Sequence, residues 1–267
     1  MKRAFAAWMW SLGVVARSYR TVVAFAAFIA LYVFLIYEGL GVPESSALLL
    51  ILTVAWATAQ LLAAAVIVGG TVSGAAEAAA TGGPRLPLML PWLSGRRKLP
   101  NALIFYLVSC VLVWVLGGIF DWINNHSIEV ASFLTLHFEK PISHVPIEKI
   151  YNVVEGVLWI ILSGFLLSFF IALMRNGWRV ALKQAGGLLA PCAFRTPFLT
   201  SLLSVVVFGG AAYELMNWHP VVPPGFWDYM QMIVRFSLIL ILLAAGWLFW
   251  LLSLARLQNP KQESPQT

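Results

Sequence analysis

The chain has 267 residues, of which 61% are hydrophobic and only 10% charged, whereas soluble domains are roughly half apolar and about a quarter charged. So little charge cannot clothe a water-soluble domain of this size, which excludes a soluble enzyme or binding module and predicts a polytopic membrane protein. The net charge of +6 comes from basic residues at the mouths of apolar runs, so it is a topology signal and not a nucleic-acid footprint.

The N-terminal stretch MKRAFAAWMWSLGVVARSYR has the outline of a signal peptide, with Lys2 and Arg3 ahead of an apolar segment and Val14-x-Ala16 as a cleavage pattern. Arg17 and Arg20 follow at once, and a longer apolar run begins at Thr21. The expected element is therefore a retained helix at the cytoplasmic interface, with Trp8 and Trp10 at headgroup depth.

Six runs are long enough to span a bilayer: 21–41, 46–70, 101–120, 150–174, 198–217 and 229–254. They are rich in Ala, Leu and Val and lack the alternation of barrel strands, so the predicted fold class is all-α. With the N-terminus inside, Lys2, Arg3, Arg17, Arg20, Arg85, Arg96, Arg97, Lys98, Arg175, Arg179, Lys183, Arg195, Arg256 and Lys261 are cytoplasmic, which is fourteen of the 17 basic residues. Only Lys140 and Lys149 fall in outer loops, and Arg235 falls within the last span. This bias predicts a bacterial inner-membrane protein with both termini cytoplasmic. One membrane domain covers 1–260, and 261–267 is a disordered tail.

The spans form three helical hairpins, each preceded by an interfacial element. The entries SYRTVVAF (18–25), RKLPNALI (97–104) and FRTPFLTS (194–201) each place a basic residue at the mouth, and Pro100 and Pro197 suit a first helical turn. The return spans lead into TVSGAAEAAATGG (71–83) and RNGWRVALKQAGG (175–187), which are expected to stop at their glycine pairs. The proline-flanked pieces PWLSGRRKLP (91–100) and PCAFRTP (191–197) read as short amphipathic elements on the inner face, the first anchored by Trp92. Gly70-x-x-x-Gly74, Ala59-x-x-x-Ala63, Gly117-Gly118 and Gly209-Gly210 are expected to let backbones approach. Cys110 and Cys192 match no metal or redox spacing and read as small apolar fillers.

This layout of a basic interfacial helix, paired spans, Gly-Gly turns and basic-x-Pro entries resembles uncharacterised bacterial six-span membrane proteins related to the glycerophosphodiester phosphodiesterase membrane domain. The resemblance covers most of the chain and implies a fold type. The catalytic domain of those phosphodiesterases has no counterpart here, so no functional residue carries over.

The polar residues inside the spans carry the functional question. Asn152, Glu155, Trp159 and Ser163 share one face of the fourth span; Asp228, Gln231 and Arg235 share one face of the sixth. Glu214 lies beside Tyr213 near the outer end of the fifth. The expected arrangement is an intramembrane cluster of Glu155, Glu214 and Arg235, with Asn152, Gln231 and Tyr213 as hydrogen-bond partners. Charges at this depth must be paired or wetted. The cluster therefore reads either as a clamp between helices or as a proton or ion site. Gln60, with Thr53 a heptad before it, is a milder interior candidate. Three of the four histidines, His126, His137 and His144, lie in the 121–149 loop, with His219 elsewhere on the outer side. Their spacing fits no metal motif, so no metal or cofactor is expected.

No phosphate-binding glycine loop, GxSxG or HExxH occurs. The leading expectation is a non-enzymatic, transport-associated or complex-forming subunit, whose partners are the lipid bilayer and a membrane or periplasmic protein met through the 121–149 loop, with no nucleic acid. The alternatives are a small ion-coupled secondary transporter using the Glu/Glu/Arg cluster and, third, an intramembrane enzyme acting on lipid.

Overall fold

The structure is a computed structural model and describes residues 2–40, 46–86, 98–218, 220 and 225–259. Every regular element among them is helical: α1 (Lys2–Arg17), α2 (Tyr19–Leu40), α3 (Ala47–Thr81), α4 (Leu99–Asn125), α5 (Ser127–Phe138), α6 (His144–Asn176), α7 (Trp178–Phe194), α8 (Thr196–Ser204), a π-helical turn (Val205–Gly209), α9 (Gly210–Asn217) and α10 (Phe226–Leu257). Six of the helical stretches are long and apolar enough to cross a membrane. They are α2, α3, α4 running on through α5, α6, the α8-to-α9 stretch, and α10. The protein is a multi-pass helical membrane protein.

Local chemistry sets the helix ends. Ser46 caps α3 by accepting a hydrogen bond from the Leu49 N–H at 3.3 Å, and Ser143 caps α6 through the Val145 N–H at 3.3 Å. Pro100 and Pro197 sit in the first turns of α4 and α8, as their sequence positions predict. α3 ends at Gly82, which takes the left-handed conformation with φ 70° and donates its N–H to the Ala78 carbonyl.

One sequence expectation about the helix ends is corrected. The pair Gly186–Gly187 does not end a helix. The break comes earlier, at Gly177 (φ 78°), and α7 continues through both glycines to Phe194. Only a residue without a Cβ takes that backbone readily, whereas Gly186 and Gly187 merely leave open space. The second span ends as expected: α3 runs 35 residues, because the Ala-rich stretch GAAEAAAT carries the helix on to the Gly82–Gly83 pair. The piece 91–97 lies outside the described residues, as does the tail beyond 259.

α1 and the end of α10 share one end of the bundle, here called the base; the 121–149 segment lies at the other, the crown. α1 packs along the last turns of α10, burying Ala4, Ala7, Ser11, Val14 and Val15. Trp8 and Trp10 therefore face protein. The Trp8 indole donates to Thr200 Oγ1 at 2.9 Å, and the Arg256 guanidinium lies 5.0 Å from the Trp10 ring centre.

The hydrophobic core occupies the base half. It joins Val14 and Val15 of α1, Val22 to Ala26 of α2, Val72 to Ala79 of α3, Ala102 and Phe105 of α4, Leu167 to Met174 of α6 and Ala244 to Ala255 of α10. Three glycines bring helices close together around it. A Cβ on Gly69 would fall 2.6 Å from Ala102 Cβ, one on Gly164 2.5 Å from Ser201 Oγ, and one on Gly246 2.6 Å from Phe208 Cβ. Gly69 thus admits α4, Gly164 admits α8, and Gly246 admits the π-helical turn. Nothing approaches Gly117, Gly118 or Gly210 within 4 Å. The expected close packing at Gly117-Gly118 and Gly209-Gly210 is thus replaced by crossings at Gly69, Gly164 and Gly246.

Candidate functional site

In the crown half, each hairpin has polar contacts of its own among the described residues. In the first hairpin, Trp56 Nε1 and Gln60 Nε2 both donate to the Leu35 carbonyl, at 3.3 and 3.1 Å. Tyr32 Oη donates to the Gln60 carbonyl at 3.2 Å, while Thr53 bonds back to Leu49 of its own helix. In the second hairpin, Glu155 on α6 is partly buried. Its Oε2 accepts from Asn124 Nδ2 of α4 at 3.2 Å, and its Oε1 accepts from Trp159 Nε1 at 3.1 Å. Asn124 also donates to Asn152 Oδ1 at 3.4 Å. The Phe120 ring meets Trp159 edge-on, 5.7 Å away.

In the third hairpin, Arg235 Nη1 donates to the Trp218 carbonyl at 2.6 Å. Tyr213 and Glu214 are exposed on α9, and Gln231 is half-buried one turn before Arg235. The Asn217 amide donates to the Tyr213 carbonyl at 3.1 Å. The six residues expected to cluster are thus divided. Glu155 and Asn152 meet through Asn124; Tyr213, Glu214, Gln231 and Arg235 belong to the third hairpin. Between described residues no ion pair joins Glu155, Glu214 and Arg235. The expected six-residue cluster does not assemble, and the partner that Glu155 does meet across helices, Asn124, has as its only sequence signal an amide in the last turn of α4.

Among the described crown histidines, His126 bonds the Trp122 carbonyl at 2.7 Å and lies 3.9 Å from Glu129. His137 stacks against Phe133. His219 lies outside the described residues.

Toward the base several bonds run between hairpins. Arg175, in the last turn of α6, places one guanidinium nitrogen 2.9 Å from the Ala76 carbonyl of α3 and 3.3 Å from the Ala255 carbonyl of α10. One side chain so ties three helices, using donors that a guanidinium holds in a fixed plane. Gln258 Nε2 donates to the Ser168 carbonyl at 3.0 Å, and Asn259 Nδ2 to the Ala79 carbonyl at 3.4 Å. Trp247 Nε1 reaches Thr71 Oγ1 at 3.3 Å and Trp250 Nε1 reaches Ser201 Oγ at 3.0 Å. In a membrane interior such indoles and hydroxyls need partners from the protein.

A cleft of about 500 Å³ opens beside this knot, between α6, α7 and the end of α10. Its polar wall carries Arg175, Asn176, Lys183, Gln184 and Gln258; its apolar wall includes Leu188, Leu254 and Leu257. Cys192 closes the bottom, with its thiol 3.7 Å from Ser168 Oγ. Burial pushes that thiol above its ordinary range, and the Ser168 hydroxyl opposes the shift. The cleft has little local signal in the sequence, because it joins the 168–197 stretch to the distant end of α10.

Comparison with protein-family models, curated proteins and solved structures finds no match to this chain.

Proposed function

We propose that the chain is a non-enzymatic, complex-forming subunit of the bacterial inner membrane, with the base at the cytoplasmic face. The observation that carries this reading is the division between the two halves. The base fuses three hairpins, while in the crown each hairpin is closed by its own polar contacts and turns apolar surface outward. Trp114 and Leu136 are both 80% exposed there. A base that holds three apolar arms in fixed positions is suited to receiving the membrane segments of another protein. The positive-inside bias supports the orientation.

The test is site-specific photocrosslinking in native membranes from positions 114 and 136, with position 248 in the base as control. The reading expects discrete protein adducts from both crown positions and none from 248. Adducts to lipid alone at 114 and 136 would overturn it.

A second reading, an ion-coupled secondary transporter, draws on one observation: Glu155 is a partly buried carboxylate in the crown half, held by neutral donors. It requires that Glu155→Gln abolish proton- or cation-driven uptake in proteoliposomes while thermal stability is kept. Unchanged uptake in that variant would remove it.

A further inference from the structure

The base cleft has a chemistry that the crown reading does not use. Arg175 is partly buried, and between described residues no carboxylate pairs with it. Its contacts to Ala76 and Ala255 both go through one terminal nitrogen, so the other donors of the guanidinium remain for a ligand. Lys183 supplies a second cation, exposed on the α7 wall. Gln184 and Asn176 add exposed amides, and no acidic residue is among the lining side chains. A partly desolvated cation without an acidic partner favours an anion beside it.

Depth narrows the choice of anion. Arg175 and Asn176 are the last residues of a membrane-length helix, and α7 follows immediately. The cleft therefore sits where the apolar run gives way to polar sequence, at the level of lipid headgroups. Leu188, Leu254 and Leu257 form an apolar wall beside the cations. A free inorganic ion would leave that wall unused, whereas a lipid would set its phosphate on the cations and its glycerol and first methylenes on the leucines. Basic pockets between membrane helices at the cytoplasmic side are suited to such headgroups. We propose that the Arg175–Lys183 cleft binds the phosphate of an anionic membrane lipid.

The test uses the full-length protein and native mass spectrometry from mixed phosphatidylglycerol and phosphatidylcholine. Wild type should retain phosphatidylglycerol in preference to phosphatidylcholine. Lys183→Glu should reduce that preference by about fivefold for each unit of charge changed. Arg179→Glu makes the same charge change on an exposed residue of α7 outside the cleft, so it should reduce it far less. Lys183 is exposed and bears no structural hydrogen bond among the described residues, so its variant should melt like wild type in phosphatidylcholine alone. Equal retention of the two lipids by wild type would overturn the proposal. So would equal losses in the two variants, which would indicate only a general surface field. Inorganic phosphate that stabilises the wild type as much as phosphatidylglycerol would overturn the lipid source and leave a free-phosphate site.

Discussion

In the base, Phe170 is fully buried and its ring stacks on Phe105 with centres 4.2 Å apart; in the crown, Trp114 is 80% exposed on the same helix that carries Phe105. Both residues are large and apolar, and both lie in membrane-length helices. What separates them is the presence of small residues that let helices cross and of hydroxyls that indoles can reach. Inside a bilayer, apolar character alone drives no helix against another, because lipid is as apolar as leucine. Contacts form where Gly69, Gly164 and Gly246 admit a neighbour and where Thr71, Ser201 and Thr200 accept from tryptophans. In the crown the helices keep their apolar surface, and glycines such as Gly117 and Gly118 meet no facing neighbour.

The largest effect should come from cutting the base core. Phe170→Ala is expected to cost about 3–5 kcal/mol, the range for removing a buried phenyl ring, whereas Trp114→Ala should stay within about 0.5 kcal/mol. Reversible unfolding in detergent would measure both. Similar losses at the two sites would end the distinction between halves.

Glycine substitutions probe the boundary itself. Gly246→Val places a Cβ against Phe208 and should destabilise by about 1–3 kcal/mol through overpacking. Gly118→Ala adds a Cβ that meets nothing within 4 Å and should bring no steric penalty. A penalty at Gly118 equal to that at Gly246 would mean that the crown helices also meet closely in the membrane.

These glycines show how much of the fold the sequence carried. Six spans and both proline-marked helix starts are local features, and run length and first-turn prolines specify them. Helix crossings are not local. Gly117-Gly118 and Gly246 look alike in sequence, yet only Gly246 has a neighbour, because closeness depends on what the facing helix presents. The same reason limits the polar cluster. Spacing places Glu155 and Asn152 on one face of α6, and it places Arg235 and Gln231 on one face of α10. It does not say that the α6 face turns to Asn124 of α4. Nor does spacing reveal that Arg175, which reads as one more basic residue at a helix end, reaches carbonyls on two other helices.

That rearranged polar group gives a smaller, sharper test. A double-mutant cycle between Glu155→Leu and Asn124→Leu should show a coupling of about 1 kcal/mol, as expected for one hydrogen bond to a charged or polar partner. The cycle between Glu155→Leu and Arg235→Leu should show coupling near zero, since the two side chains serve different hairpins. Strong coupling in the second cycle would restore a shared Glu/Arg cluster and bring the crown hairpins together.

The smallest effect concerns the two cysteines, one in each environment. Cys110 is exposed on α4 and Cys192 is buried at the bottom of the base cleft. In a Cys110→Ser background, alkylation reports Cys192 alone. Its thiol is raised by burial, so reaction should lag a free thiol at pH 8.5 and accelerate only at higher pH, because the thiolate is the nucleophile. Linkage fixes the companion sign. The native state favours the neutral thiol, so this group's contribution is fully present below the unfolded value of about 8.5 and is lost as pH rises through the folded value. Ser168→Ala removes the one hydrogen bond that opposes the shift and should slow alkylation further. Reaction of Cys192 at the rate of a free thiol near neutral pH would mean that the floor of the cleft opens to water, and the base would then be looser than its buried core implies.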